Sequence, residues 1–279
     1  MNPLETLAAR LRDHTKLRDF PLWGHLRRLY PFGLRVATFN RGLSRTLYPG
    51  VVARVSYASR QTMEANFNVT LKWDVPCLDL IHRWIEANRD ICFFDVGANH
   101  GQFALVVSRW LDTDSTRIVA FEPHPGNRQV LAENLARNGC KNVEVVNCAL
   151  AAEAGTMTLY GASVSASLQP DLLREGTQVN VDTLDGFCAR TGLEPMVVKI
   201  DVEGFELEVL RGAVETLSRY RDSIKIICEM HTFMWEEPDY DLRLIELVES
   251  CGLLVFGMDG RRVNRINDYG HYVLARHFA

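Results

Sequence analysis

The chain reads ICFFDVGANHGQ from residue 91 to residue 102, and this stretch decides the fold class. A dense apolar run passes through Asp95 into a turn that contains Gly97 and Gly101, after which the apolar spacing becomes helical. Glycine lets the backbone turn tightly and approach a ligand closely. A buried strand followed by such a turn and a helix is typical of an α/β fold with a parallel sheet.

The same alternation of apolar runs and helical spacing continues toward the C-terminus. We expect strands at 91–96, 117–121, 143–146, 156–160, 178–181, 196–200, 223–228, 253–256 and 272–275, and helices at 102–111, 127–138, 205–217 and 241–249. Strands that alternate with helices form βαβ units, so we predict a mostly parallel, doubly wound sheet covered on both faces. The last two strands follow each other without a helix, which predicts an antiparallel edge.

Composition places the chain among globular proteins of the cytoplasm. Its 279 residues are 47% apolar and 24% charged, enough to bury a sizeable core. The seven cysteines are scattered without a CxxC pair, so we expect no disulfide framework and no zinc site, which favours a reducing compartment. Charged residues interrupt every apolar run near the N-terminus, so we predict neither a signal peptide nor a membrane span.

Charge is distributed unevenly along the chain. Residues 1–63 hold 11 Lys or Arg against 3 Asp or Glu, while the remainder holds 20 against 32, for an overall charge of −4. That balance argues against a nucleic-acid partner held by overall positive charge. We therefore expect a basic, mainly helical N-terminal extension over residues 1–88 and a catalytic sheet domain over residues 89–279.

Three roles remain open for the basic segment. It is a solvated helical cap packed across the acidic domain, a lid over an acceptor pocket, or an amphipathic surface for anionic lipid. In the last case Trp23, Leu26 and Leu29 form the apolar side. A second copy of the chain, in a homodimer, is a further expected partner.

Residues at the strand ends predict a bound adenosine cofactor, because ligands of such sheets bind at the carboxyl ends of the strands. Asp95 belongs to the first of these strands, and Glu122 ends the second, 21 residues after Gly101, where an acidic side chain accepts hydrogen bonds from ribose hydroxyls. The turn lacks the third glycine of a dinucleotide site and the lysine of a P-loop. A carboxylate here disfavours phosphate and suits a cation, so we predict S-adenosyl-L-methionine. Asn147, after the third strand, borders the adenine or is an ordinary turn residue.

Five blocks in order along the chain resemble the FkbM family of S-adenosylmethionine-dependent methyltransferases. They are FDVGANHGQ (94–102), FEPHP (121–125), VDTLD (181–185), VKIDVEG (198–204) and EMH (229–231). The resemblance implies a Rossmann-like class I methyltransferase fold and methyl transfer mostly to oxygen, on sugars, polyketides or other secondary metabolites. His100 stands where the family often has an apolar residue, and residues 1–70 resemble nothing that we can name.

Two sets of site residues follow. The expected cofactor-binding residues are Asp95, Gly97, Asn99, Gly101, Gln102, Glu122, Pro123 and Asn147. A hydroxyl acceptor must also lose its proton, which requires a general base within hydrogen-bond reach. Lys199 and Asp201 share a face at the end of one strand, and Glu229 and His231 share a face at the end of the next. We expect these four side chains to be catalytic, His231 because its ordinary pKa suits a base.

Structural alternatives stay open for the same residues. Lys199 and Asp201 could form an ion pair, Glu203 could charge a helix N-terminus, and a histidine at a strand end is often structural. Asp201 and Glu229 could instead hold Mg²⁺ against a diol, but no ligand run has the diagnostic spacing, so we predict no metal. The alternative functions are an N-methyltransferase, an NAD-dependent oxidoreductase and a cofactor-binding interaction module without catalysis.

Overall fold

The computed structural model of the chain describes residues 43–56, 67–88, 91–111, 117–161, 167–168 and 176–278. The strands are β1 (Leu43–Tyr48), β2 (Val51–Val55), β3 (Cys92–Val96), β4 (Arg117–Phe121), β5 (Val143–Val146), β6 (Ala149–Leu150), β7 (Gly155–Tyr160), β8 (Gly176–Asp182), β9 (Val197–Ile200), β10 (Lys225–Met230), β11 (Leu254–Gly257) and β12 (Gly270–Ala275). The helices are α1 (Phe67–Ala87), α2 (Gln102–Trp110), α3 (Pro125–Asn138), α4 (Leu184–Thr191), α5 (Glu206–Arg211), α6 (Val214–Arg219) and α7 (Tyr240–Ser250), with a 3-10 turn at Thr232–Met234.

The main sheet has seven strands in the order β5-β4-β3-β9-β10-β12-β11. The first five are parallel, whereas β12 runs antiparallel to both β10 and β11. The order reverses between β3 and β9, which creates the crevice where ligands of doubly wound sheets bind. The predicted α/β fold, mostly parallel with an antiparallel edge, is confirmed.

Apolar layers cover both faces of this sheet, as a parallel sheet requires. One face packs against α1, α2 and α3, with Leu78, Leu105 and Leu131 among the buried side chains. The other face packs against α4 to α7, with Phe187 and Leu210 buried there. Because apolar side chains cover both faces, the central parts of β3, β4, β9 and β10 are largely apolar runs.

Three features differ from the sequence prediction, and the first is helix α4, which is not among the predicted helices. The strands expected at 156–160 and 178–181 do not join the main sheet; they pair in a separate three-stranded sheet of order β6-β8-β7. The single helix expected over 205–217 is divided into α5 and α6 at Gly212. A Cβ on Gly212 would lie 2.0 Å from the carbonyl oxygen of Ala151, so the small sheet packs closely against the chain where the helix is interrupted.

The segment before the main sheet packs on it in the described residues. The amides of Arg54 and Ser56 donate to the side chains of Asn138 and Asn134 on α3, at 2.8 and 2.7 Å. Residues 44–279 form one compact unit, which includes the hairpin β1–β2 and helix α1. The division after residue 88 stays a prediction. Residues 1–42, with most of the basic segment and its predicted apolar side, lie outside the described residues.

Within the described ranges, none of the helices combines the length and apolarity that crossing a bilayer requires.

Candidate functional site

The glycine turn after β3 joins two strand ends. Gly97 has a φ of 81°, and its amide and that of Ala98 donate to the carbonyl of Phe121 at 3.1 and 3.0 Å. A Cβ on Gly97 would lie 1.8 Å from the carbonyl oxygen of Asp201. The absence of a side chain at position 97 therefore lets the ends of β3, β4 and β9 meet. Gly101, with a φ of 87°, begins α2 against Leu131.

We expect Gly97→Ala to destabilise the fold much more than Gly139→Ala. Both glycines have positive φ, but an added Cβ at Gly139 meets nothing within 4 Å. Left-handed strain alone should cost Gly139→Ala about 1–2 kcal/mol. The backbone clash should bring the loss for Gly97→Ala to about 4 kcal/mol or more. Urea unfolding measures both, and equal losses would show that the close approach at Gly97 is not required.

A cavity of about 660 Å³, counting space open to solvent, lies at this junction. Gly97 and Asn99 line it from the β3 turn, Glu122 from the end of β4, and Asp201 and Glu203 from the end of β9. Its remaining wall includes Pro123, Cys148, Leu159, Leu168 and Phe205.

Glu122 is held in place by backbone amides. Its two carboxylate oxygens accept from Asn99 N at 2.7 Å and from His124 N at 2.8 Å, and the side chain is almost fully buried. Burial raises the pKa of Glu122 to about 7, against the effect of these two donors. Each oxygen retains acceptor capacity, so this carboxylate suits a ligand with a pair of hydroxyl donors.

Asn99 lines the cavity and holds a buried, unsatisfied acceptor. Its φ is 50°, and its Oδ1 is buried without a hydrogen-bond partner among the described residues. A buried unpaired carbonyl is costly, so a ligand that donates an N–H or O–H here is favoured. No Lys or Arg is among the described residues that line the cavity. These features fit the ribose hydroxyls and amino group of S-adenosyl-L-methionine better than they fit a pyrophosphate.

Other predicted cofactor residues lie outside the cavity lining. Asp95 is buried and accepts from Ala104 N at 3.1 Å, so it anchors the first turn of α2. Gln102 donates to Asp74 on α1 at 3.0 Å, and Asn147 is exposed. In contrast, Asn127 lines the cavity although the sequence reasoning did not select it. Its signal in the sequence was only its place two residues after the FEPHP block.

His231 comes directly after β10, and it lies outside the cavity lining but next to Asp201 and Glu203, which belong to that lining. Its Nδ1 is 2.8 Å from Glu206 Oε1, and its Nε2 is 3.7 Å from Asp201 Oδ1 and 3.6 Å from Glu203 Oε2. Burial lowers the pKa of His231, but the bond with Glu206 and the charges of Asp201 and Glu203 outweigh it and raise the pKa to about 9. Glu206, which the sequence reasoning missed, also accepts from Trp235 at 2.9 Å.

Lys199 and Glu229 form a buried ion pair beside Asp201. Lys199 is fully buried, with its Nζ 3.4 Å from Glu229 Oε2 and 3.6 Å from Asp201 Oδ2. Burial lowers the pKa of Lys199, but the two carboxylates raise it above its usual range, so the ammonium is a fixed charge.

Glu229 accepts further hydrogen bonds from three side chains. The donors are Trp73 Nε1 at 3.1 Å, His271 Nε2 at 3.0 Å and the hydroxyl of Tyr269. Burial raises the pKa of Glu229, but Lys199 and these donors hold it below its usual range. A carboxylate with so many donors is a poor base, and its position suits holding the neighbouring side chains in place.

Two triads have ligand atoms within 4.8 Å of one another, as a metal site would require. The first is Asp74, Glu229 and His271; the second is Asp201, Glu203 and His231. The Lys199 ammonium already neutralises the first triad. The Mg²⁺ alternative joined Asp201 with Glu229, and the structure places these two carboxylates in different triads.

Comparison with known proteins identifies related chains. The family model for the methyltransferase FkbM domain matches residues 95–254, more than half of the chain. The hexuronic acid methyltransferase AglP of Haloferax volcanii is 30% identical over 190 residues, 65% of this chain and 74% of that protein. The methyltransferase sdnD of Sordaria araneosa is 29% identical over 197 residues, 58% of this chain and 74% of that protein. A crystal structure of a methyltransferase FkbM from Methylobacillus flagellatus KT has a TM-score of 0.43 and 17% identity, covering 66% of this chain and 43% of that one.

Proposed function

The chain belongs to the FkbM methyltransferase family, and from this premise we propose that it methylates a hydroxyl group of a small molecule or saccharide. S-adenosyl-L-methionine, the cofactor, supplies when bound a methyl group on a sulfonium that is open to in-line displacement. The protein must then bind the cofactor, orient the acceptor and remove the hydroxyl proton.

Different side chains of the cavity would bind different parts of the cofactor. Glu122 would accept the ribose hydroxyls, because it lines the cavity and its two oxygens keep acceptor capacity beyond their two backbone amides and the side chain of Asn127. Asn99 Oδ1 would accept from a donor group of the cofactor. Asp201 and Glu203 would place negative charge near a cation.

The position of His231 is the observation that carries the assignment to an oxygen acceptor. Its Nδ1–H donates to Glu206, which leaves Nε2 as the atom that accepts a proton when the ring is neutral. Asp201 and Glu203, next to Nε2, line the cavity, so a hydroxyl bound there would be within reach of the ring. Glu206 would hold the ring and stabilise its charged form after proton transfer.

The pH dependence of the reaction should report this arrangement. His231 must be neutral to accept a proton, and its pKa is raised to about 9. We therefore expect kcat/KM to rise with pH through about 9. Glu206→Gln removes a charge that raises this pKa, so the rise should move to lower pH by about one unit or more. Glu208→Gln, on the same helix, is the matched control, and identical profiles for wild type and Glu206→Gln would contradict the assignment.

Transfer of a labelled methyl group tests the function directly. The protein and methyl-¹³C-labelled S-adenosyl-L-methionine are incubated with panels of sugars, polyketides and amines, and NMR then identifies the methylated atom. We expect O-methyl products. Products labelled only on nitrogen would replace this proposal with the N-methyltransferase alternative.

The acceptor class, the cellular location and the partners of the chain remain predictions. AglP is named as a hexuronic acid methyltransferase, which supports a saccharide acceptor for this chain. All seven cysteines are free, in keeping with a cytoplasmic location. Homodimerisation and peripheral contact with anionic membranes through residues 1–63 are tested by sedimentation and by vesicle binding at low and high salt.

A further inference from the structure

Three exposed aromatic side chains form one surface beside His231. Phe233 is 70% exposed, Tyr269 43% and Trp73 36%, and they are three of the four large apolar side chains exposed in the described part of the chain. The Trp73 and Tyr269 rings stack with centroids 5.0 Å apart, and Phe233 meets Tyr269 edge-on at 5.4 Å. We call these three residues the aromatic rim. Clustered exposed aromatic side chains mark a binding surface more often than isolated ones do.

The aromatic rim is held rigidly and adjoins the proposed base. Trp73 Nε1 and the Tyr269 hydroxyl both donate to buried Glu229, which fixes the two stacked rings. The ring of His231 lies 5.4 Å from that of Tyr269 and 5.9 Å from that of Phe233. His231 therefore lies close both to the aromatic rim and to the carboxylates of the cofactor cavity.

We infer that the aromatic rim binds the methyl acceptor, and that this acceptor is an uncharged sugar ring. The inference rests on the proposed function and specifies its substrate. A pyranose has an apolar C–H face, which packs on aromatic rings, and it carries hydroxyl groups along its edge. With that face on the aromatic rim, edge hydroxyls donate to Asp201 and Glu203, and one of them lies at His231 Nε2.

Charge decides between a neutral sugar and a sugar acid. Asp201 and Glu203 border the place where the ring edge lies, and burial raises their pKa values to about 6 and about 7. Above these values both would repel a carboxylate on the acceptor.

The described contacts place two cations beside Asp201, and both already have carboxylate partners. Lys199 is fully buried and pairs with Glu229 and Asp201. His231, which its raised pKa keeps charged near neutral pH, pairs with Glu206. This chain thus differs in acceptor charge from the relative whose name specifies hexuronic acid.

The size of the aromatic rim favours a small molecule over a protein partner. A stable protein interface uses about 20–30 residues on each side, far more than these three side chains. The aromatic rim also lies next to His231, so an acceptor bound on the rim would be close to the proposed base.

The test uses methyl glycosides of glucose, galactose and mannose, each paired with the corresponding uronic acid. Calorimetry first confirms that S-adenosylhomocysteine binds. Saturation-transfer NMR on that complex then measures glycoside binding, and labelled cofactor measures methyl transfer. We expect at least one neutral glycoside to bind about 10-fold more tightly than its uronic acid, with saturation strongest at its C–H protons.

Variants separate the aromatic rim from the cofactor site. Phe233→Ala should weaken binding of that glycoside by about 10-fold and leave the affinity for S-adenosylhomocysteine unchanged. Tyr269→Phe keeps the ring and should weaken glycoside binding less than Tyr269→Ala. Val52→Ala, an exposed apolar residue on the hairpin, is the control.

The outcomes distinguish this inference from the proposed function. Preference for the uronic acids, binding of no neutral glycoside by the S-adenosylhomocysteine complex, or unchanged binding in Phe233→Ala would each overturn the inference alone. Failure to bind S-adenosylhomocysteine would overturn the proposed function, and the inference with it.

Discussion

Replacing Glu122 with glutamine should weaken the binding of S-adenosylhomocysteine by about 100-fold or more. A hydrogen bond to a charged group is worth about 1.5–3 kcal/mol, and two ribose hydroxyls are expected to bond this carboxylate. The amide of glutamine would also turn a donor toward Asn99 N or His124 N, because each carboxylate oxygen now accepts one of these amides. The site would thus lose an acceptor and gain a clash between donors.

Calorimetry with S-adenosylhomocysteine measures this effect, and Glu144→Gln provides a matched control. Glu144 lies on the neighbouring strand β5 and is exposed, so its loss should leave the affinity unchanged. Circular dichroism of both variants separates loss of binding from loss of folding. Wild-type affinity in a folded Glu122→Gln protein would remove Glu122 from the cofactor site.

Replacing His231 with asparagine should lower kcat by about 10²–10⁴-fold, the usual contribution of a general base. The asparagine side chain has no group that accepts a proton near neutral pH. The affinity for S-adenosylhomocysteine should change little, because the proposed ribose contacts lie at Glu122, at the end of another strand. Loss of turnover with intact cofactor binding is therefore the expected result.

His277→Asn is the control for this substitution, since His277 is exposed near the C-terminus. Steady-state rates with saturating acceptor give kcat, and calorimetry gives the cofactor affinity. If His231→Asn keeps its turnover, His231 is structural, and Asp201, which also lines the cavity, becomes the base to test with Asp201→Asn.

The sheet was predictable because its signals are local. β4 and β5 have the bounds expected from their apolar runs, and the turn at Gly97 marks the end of β3. Both signals depend on neighbouring residues in the sequence: a buried strand needs an apolar run, and a left-handed turn favours glycine. The separate small sheet and the interruption at Gly212 were not predictable, because both depend on which distant segments pack together.

The cofactor side of the site could be predicted from the sequence better than the acceptor side, because its residues lie close to strand ends that local sequence marks. Gly97, Asn99, Glu122 and Pro123 all line the cavity, since each lies within three residues of a strand whose end the sequence marks. The partners of Glu229 gave no such signal. Trp73 precedes it by 156 residues and Tyr269 follows it by 40.

Sequence alone determined the fold class, the glycine turn and the place of Glu122 at the end of β4, because each depends on a short segment. Only the tertiary structure decided which partners surround Lys199, Glu229 and His231. Antiparallel pairing of β10 with β12 sets Glu229 opposite His271, and parallel pairing with β9 brings Lys199 close enough to form the ion pair. These partners keep Lys199 and Glu229 in their charged forms, since the pKa of a buried group depends on the charges and hydrogen bonds around it. His231 remains beside the cavity.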